Sequence, residues 1–282
     1  MKKKIKKLKH RINNSNKKFL IIFISLYIII VSISFCYFVI KSVTPNSSKI
    51  NPPKKKDKET KMIYKRSSDI CVEIFKCYNE GIWGPMMCVK GTLENKSIKE
   101  EVYWIFLGGL EKVKNQTTTM KESILSGFNL DNHYKKNVKK HILDNIPTGS
   151  TLIFSGHSLG GMVGQQLAAD KDINTQYKIS HIIGFGSPYV STPKKEGSLV
   201  RFTDCNDIIG YMTFINPLTY KHSENKIIRK KSSYYLQQPA HLWSYNDYSI
   251  WDEYDVIGSK TKKTTFTFIA EDKVYYKSIY PK

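Results

Sequence analysis

Between Thr151 and Lys171 the chain has few local structures open to it. Thr151-Leu152-Ile153-Phe154 is an apolar run of strand length, and MVGQQLAADK (162–171) reads as a helix. Between them stands Ser155-Gly156-His157-Ser158-Leu159-Gly160-Gly161, which contains the pattern G-x-S-x-G. A strand entering and a helix leaving force a sharp turn at the serine, straining its backbone and lifting its Oγ clear of the sheet. A Cβ at Gly156 or Gly160 would collide with the neighbouring strand or helix, and Gly161 allows still closer packing. Ser158 is therefore the candidate nucleophile.

The flanking sequence repeats this alternation. Val102–Leu107 is a buried strand ending in Gly108-Gly109, His181–Gly186 a third strand and Ser198–Phe202 a fourth. In residues 131–146, Tyr134, Val138, Ile142 and Ile146 recur on one face, with Lys135, Lys136, Lys139 and Lys140 mainly on the others, as in an amphipathic helix with a solvated basic face. Alternating strands and helices predict an α/β fold, a mainly parallel sheet with helices on both faces. After residue 262, TTFTFIA and KVYYKSIY flank Glu271-Asp272-Lys273 and are predicted to pair as a hairpin.

The net charge of +21 would suit a nucleic-acid binder, but its placement argues otherwise. Residues 1–18 hold nine basic residues and no acid, residues 41–66 contribute +7, and only about +5 remains for residues 67–282. Nucleic acid is thus not an expected partner. The charge flanks Phe19–Ile40, twenty-two residues without charge, Pro or Gly. As a helix they would span ~33 Å, enough for a bilayer core. No small-x-small cleavage site follows, so an uncleaved signal-anchor is expected. The basic bias puts residues 1–18 in the cytoplasm and residues 41–282 in a lumen or outside, a single-pass type II arrangement. Residues 41–67, rich in Pro, Ser and Lys, read as a solvated stalk, and residues 68–282 as the globular domain. Three glycosylation sequons, at Asn46, Asn95 and Asn115, lie on the same side of the span. Beyond the span stand Cys71, Cys77, Cys88 and Cys205, which could form two bridges in an oxidising compartment or remain buried thiols.

A serine nucleophile needs a base, and the base a carboxylate to hold its tautomer. In α/β-hydrolases the chain order is serine, acid, histidine. That order leaves His222 and His241 as candidate bases, with Asp204 and Asp207, just past the strand ending at Phe202, as candidate acids. Order and position do not choose within either pair.

Several segments together resemble the class 3, or fungal-type, lipases of the α/β-hydrolase superfamily. Ile153 to Gly161 is similar to the family's elbow almost residue for residue, and Gly184-Phe185-Gly186-Ser187-Pro188 to its following strand end. Arg201 to Ile209 resembles the segment carrying the family's acid, where the aspartate follows an asparagine; this selects Asp207. Pro239-Ala240-His241-Leu242-Trp243 resembles the catalytic-histidine segment, whereas Tyr220-Lys221-His222-Ser223 resembles an earlier, non-catalytic one. Ser126-Gly127-Phe128 matches a short motif ahead of the helix before the elbow. The resemblance spans roughly residues 90–245.

The family's Phe-Arg-Gly-Ser/Thr oxyanion segment has Phe106-Leu107-Gly108-Gly109 as its counterpart here. A backbone donor survives side-chain changes, so Gly109 and Leu159 remain the expected oxyanion hole, without the hydroxyl that often steadies such a donor. Only Leu110 to Ser126 separate this loop from the Gly-Phe motif, which leaves little room for the family's lid helix.

The resemblance implies acyl-ester hydrolysis through Ser158, Asp207 and His241. A glycerolipid is the leading substrate class, with phospholipase A1 or carboxylesterase activity as alternatives. No metal or cofactor is implied, since no His, Cys and Asp cluster has ligand spacing. The rival from another class is a tethered interaction protein on a decayed lipase scaffold.

Overall fold

The computed structural model describes residues 59–78, 85–110, 118–192, 194–214, 225–260 and 263–276. The first half comprises β1 (Lys61–Tyr64), α1 (Ser67–Lys76), β2 (Met86–Asn95), β3 (Ile98–Leu107), α2 (Met120–Gly127), α3 (His133–Asn145), β4 (Thr151–His157) and α4 (Leu159–Leu167). Then come α5 (Lys171–Gln176), β5 (Lys178–Phe185), β6 (Tyr189–Val190), β7 (Ser198–Asp204), α6 (Ile208–Tyr211), β8 (Thr213–Phe214) and β9 (Lys226–Lys230). The chain continues through α7 (Gln237–Trp243), α8 (Tyr248–Trp251), β10 (Thr264–Ile269) and β11 (Val274–Tyr276).

The main sheet runs β1-β10-β2-β3-β4-β5-β7-β9, with β11 also on β2. Strands β3, β4, β5, β7 and β9 pair in parallel, and β2 forms an antiparallel hairpin with β3. A mixed α/β fold with a mostly parallel central sheet fits an α/β-hydrolase.

Strand alternation sends side chains to two cores. Trp104 and Phe106 of β3, with Ile153 of β4, pack on one face among Ile70, Ile74, Tyr245 and Trp251. Ile105 and Leu107, with Leu152 and Phe154, pack on the other among Val138, Ile142, Met162 and Val163. Both faces are covered, as a parallel sheet requires. The predicted amphipathic helix is α3: Tyr134, Val138 and Ile142 are buried, while Lys135 and Lys139 pair with Asp170.

Two sequence expectations need correction. Strands β10 and β11 do not pair with each other; both lie antiparallel along β2, β10 opposite Gly91–Asn95 and β11 opposite Met86–Cys88. A 3₁₀ turn at Ala270–Asp272 lets one strand path continue along a single edge instead of reversing. Lys61–Tyr64, read as stalk, is a strand paired with β10. It is anchored by Tyr64, whose hydroxyl donates to the buried Glu73 carboxylate, which also receives the Lys273 ammonium at 2.9 Å.

Residues 1–58, including the apolar segment 19–40, lie outside the described residues, as do Asn115 and His222. Among the described residues no helix is long and apolar enough to cross a membrane. Asn95 is exposed at the β2–β3 turn. Cys71, Cys77 and Cys88 are buried free thiols and Cys205 is an exposed one.

Candidate active site

Ser158 joins β4 to α4 at φ 52° and ψ −119°. This is a costly backbone for an L-residue and is kept only where its surroundings impose it. Its N–H donates to the Phe185 carbonyl at 3.0 Å. A Cβ on Gly156 would lie 2.4 Å from the Gly160 carbonyl carbon, and one on Gly160 2.2 Å from the Leu107 carbonyl oxygen. Glycine at both places lets the elbow close against its own helix and the end of β3.

Asp207 follows β7 and caps α6. Its Oδ1 accepts from the Ile209 N–H at 3.0 Å and the Gln237 amide at 2.9 Å. Its Oδ2 faces His241 Nδ1 at 2.9 Å and accepts from the Tyr245 hydroxyl at 2.6 Å. Burial acts to raise this carboxyl, but the neighbouring His241 and the hydrogen bonds outweigh it and hold it below the usual carboxylate range. An ionised Asp207 only accepts, so His241 Nδ1 carries the proton and Nε2 is left as the basic nitrogen.

Asp204 is engaged differently. Its Oδ1 accepts from the Asn206 N–H at 2.9 Å and the Ser232 N–H at 3.4 Å, tying a turn, and among the described residues it makes no hydrogen bond to His241. Tyr245 bridges the two acids: its hydroxyl accepts from the Asp204 N–H at 3.1 Å while donating to Asp207.

The end of β5 closes on this pair. Gly186 has φ +54°, and a Cβ there would lie 2.7 Å from Asp207 Oδ2 and 3.1 Å from His241 Nδ1. The Gly-Phe-Gly-Ser-Pro segment thus needs glycine at Gly186 both for its backbone and to admit Asp207 and His241.

His157, beside Ser158, is fully buried, and its ring makes two hydrogen bonds. Nε2 lies 2.7 Å from the His241 carbonyl oxygen and Nδ1 2.5 Å from the Tyr78 hydroxyl. A carbonyl only accepts, so Nε2 donates and Nδ1 accepts the Tyr78 proton. Burial, helped by nearby His241, pushes its pKa down to about 3, so the ring is neutral. No hydrogen bond joins the Ser158 hydroxyl to His241 among the described residues; such bonds often tighten only when substrate binds.

Leu159 opens α4 with its side chain fully buried, and Gly109 lies two residues past β3. The preceding Gly108 is fixed by its N–H to the Pro85 carbonyl at 2.8 Å, and Tyr134 reaches the Gly108 carbonyl at 3.1 Å. A Cβ on Gly109 would lie 1.8 Å from the Tyr78 hydroxyl oxygen.

Ser158, Asp207, His241, Gly109 and Leu159 therefore gather around the C-terminal ends of β3, β4, β5 and β7. Sequence reasoning missed Tyr78, Tyr245 and Gln237. None belongs to a motif, and each becomes visible only through its partner.

Residues 86–216 match the lipase (class 3) family. This segment is thus similar to the class 3 lipases. Class 3 lipases are lipase-type hydrolases of ester substrates, and the matched span holds the elbow, Gly109 and Asp207. It ends before His241, whose relation to the class 3 site rests on its contact with Asp207. No curated protein and no solved structure matches the chain.

Proposed function

We propose that this class 3 lipase-like chain is a serine hydrolase that cleaves acyl esters of glycerolipids. The carrying observation is a strained serine elbow beside a buried carboxylate–imidazole pair. In this reading Ser158 attacks the ester carbonyl, and Nε2 of His241, oriented by Asp207, takes its proton and passes it to the leaving alcohol. The N–H groups of Gly109 and Leu159 receive the developing oxyanion. Water then attacks the acyl-enzyme and releases the fatty acid.

An apolar acyl substrate suits the surroundings. Ile208 next to Asp207, Leu236 just ahead of α7 and Trp243 two residues after His241 are 66%, 72% and 54% exposed, so the segments that carry Asp207 and His241 also present uncovered apolar side chains. The N-terminal reading completes the proposal: residues 19–40 anchor the chain, residues 1–18 are cytoplasmic, and the hydrolase domain from Lys61 is lumenal or external, with Asn46, Asn95 and Asn115 on that side. The stalk then ends near residue 60.

The test is acid release by the purified full-length chain and its Ser158→Ala variant from p-nitrophenyl butyrate, a triacylglycerol emulsion and phosphatidylcholine vesicles. Hydrolysis of the emulsion that vanishes in the variant supports the reading. Activity on the vesicles or on the soluble ester alone would move it to phospholipase A1 or carboxylesterase. Inactivity on all three would favour the interaction protein.

A further inference from the structure

The class 3 pattern places a serine or threonine hydroxyl where this chain has Gly109. The position is not left open. Tyr78, just past the end of α1, puts its hydroxyl oxygen 1.8 Å from where a Gly109 Cβ would stand, with its ring carbon Cζ at 2.8 Å. The same hydroxyl donates to His157 Nδ1 at 2.5 Å. Its ring is held by Phe75, stacked at 5.3 Å, and lies edge-on to His157 at 5.7 Å.

Three parts of the site meet there. Gly109 is on the oxyanion side, His157 is covalently joined to Ser158, and His157 Nε2–H in turn holds the His241 carbonyl at 2.7 Å. The His241 carbonyl, which only accepts, fixes the direction of the chain of bonds: Nε2 donates, Nδ1 must accept, and Tyr78 supplies the proton it accepts. Removing that proton leaves a buried, neutral imidazole nitrogen without a donor. The ring then loses one of the two hydrogen bonds that orient it, and its hold on the His241 main chain is weakened.

We infer that Tyr78 is a positioning residue for acyl transfer: its hydroxyl, seated over Gly109 and bonded to His157, sets the oxyanion loop, the elbow and the His241 main chain relative to one another. It takes the space of the hydroxyl that the family carries on the oxyanion residue itself. The inference rests on the serine-hydrolase reading and adds a residue from outside the matched span. Small displacements matter here, because loss of alignment by about 1 Å can cost on the order of a hundredfold in rate.

The experiment compares the full-length wild type with Tyr78→Phe in three measurements: the rate constant for labelling by a fluorophosphonate, kcat and KM on p-nitrophenyl butyrate, and melting temperature. The expected result is labelling and kcat lower by about tenfold to a hundredfold, with KM within about twofold. A purely structural tyrosine would move the melting temperature and leave both rates of the folded enzyme alone. Gly109→Ser provides a second, independent arm. With Tyr78 in place its side chain has no room and activity should fall, whereas Tyr78→Ala/Gly109→Ser should be more active than Tyr78→Ala. A wild type that fails to label overturns the serine-hydrolase reading. A wild type that labels, with Tyr78→Phe reacting at the same rate or Gly109→Ser fully active, overturns the role of Tyr78 alone.

Discussion

The ring of His157 donates to the main-chain oxygen of His241 across 2.7 Å, so the residue before the elbow serine carries the backbone of the imidazole that faces Asp207. The elbow serine and His241 are thus tied to one another through the protein interior. The companion bond, from the Tyr78 hydroxyl to Nδ1, needs a neutral His157, which burial ensures.

The roles of the two aspartates separate cleanly by substitution. Asp207→Asn removes the acceptor that keeps His241 Nδ1 protonated, and turnover is expected to fall by about 10⁴ with the fold intact. Asp204→Asn disturbs a turn, at a cost of roughly 0.5–2 kcal/mol and little chemistry. Turnover and melting temperature for the two variants, measured side by side, decide the matter. A dead but well-folded Asp204→Asn enzyme would reverse the assignment. His241→Ala should be at least as damaging as Asp207→Asn, and His222→Ala should be near normal.

Tyr245→Phe deletes a donor to Asp207 and the acceptor of the Asp204 N–H, both buried. A stability loss of about 1–3 kcal/mol is expected, since two buried polar partners are left short. Chemical denaturation with an unchanged m-value measures it. Stability equal to wild type would mean that neither bond contributes.

Much of this site was legible in the sequence, for identifiable reasons. The elbow was readable because an apolar strand and a helix bracket it within twenty residues, and their junction admits few backbones. Asp207 and His241 could be ordered along the chain, but only the resemblance chose them over Asp204 and His222. The pairing of β10 and β11 along β2 was not readable, because nothing local in TTFTFIA or KVYYKSIY names a partner far earlier in the chain. Four residues at Lys61–Tyr64 are too few for a period to stand out from a Lys-rich neighbourhood. Gly109 looked like a lost hydroxyl, and only the packing of Tyr78 over it gives the glycine a reason.

Gly186→Ala should be among the most damaging single-methyl changes. The new Cβ would meet Asp207 Oδ2 at 2.7 Å on a backbone with φ +54°. Activity should be lost, with destabilisation of at least about 1–3 kcal/mol from the strained backbone alone. A fully active, fully stable variant would refute the packing of the acid and base on this glycine.

Stability should begin to fall with acid earlier than carboxylates alone would require. Burial, the leading cause in each case, pushes the pKa of His157 to about 3 and of His141 to about 4, and also lowers that of His181. Unfolded, each would titrate near 6.5. Between that value and the folded one the unfolded chain binds more protons, so stability is full above about pH 6.5 and drains as pH falls. Carboxylates held low, such as Asp207 and Glu73, add their loss only at lower pH, through the carboxylate range. Melting temperature followed from pH 7.5 to 4.5 should decline from about 6.5, and His141→Gln should flatten the slope. A flat profile down to pH 5 would contradict this.

The central claim is that Ser158 is an activated nucleophile, and its reaction with a fluorophosphonate tests that directly. The full-length chain is treated with the probe, weighed intact, and digested to locate the adduct. One adduct per chain on the peptide containing Ser158 is expected, absent from Ser158→Ala and formed far more slowly in Asp207→Asn. No adduct, or one on another residue that persists in Ser158→Ala, would contradict it.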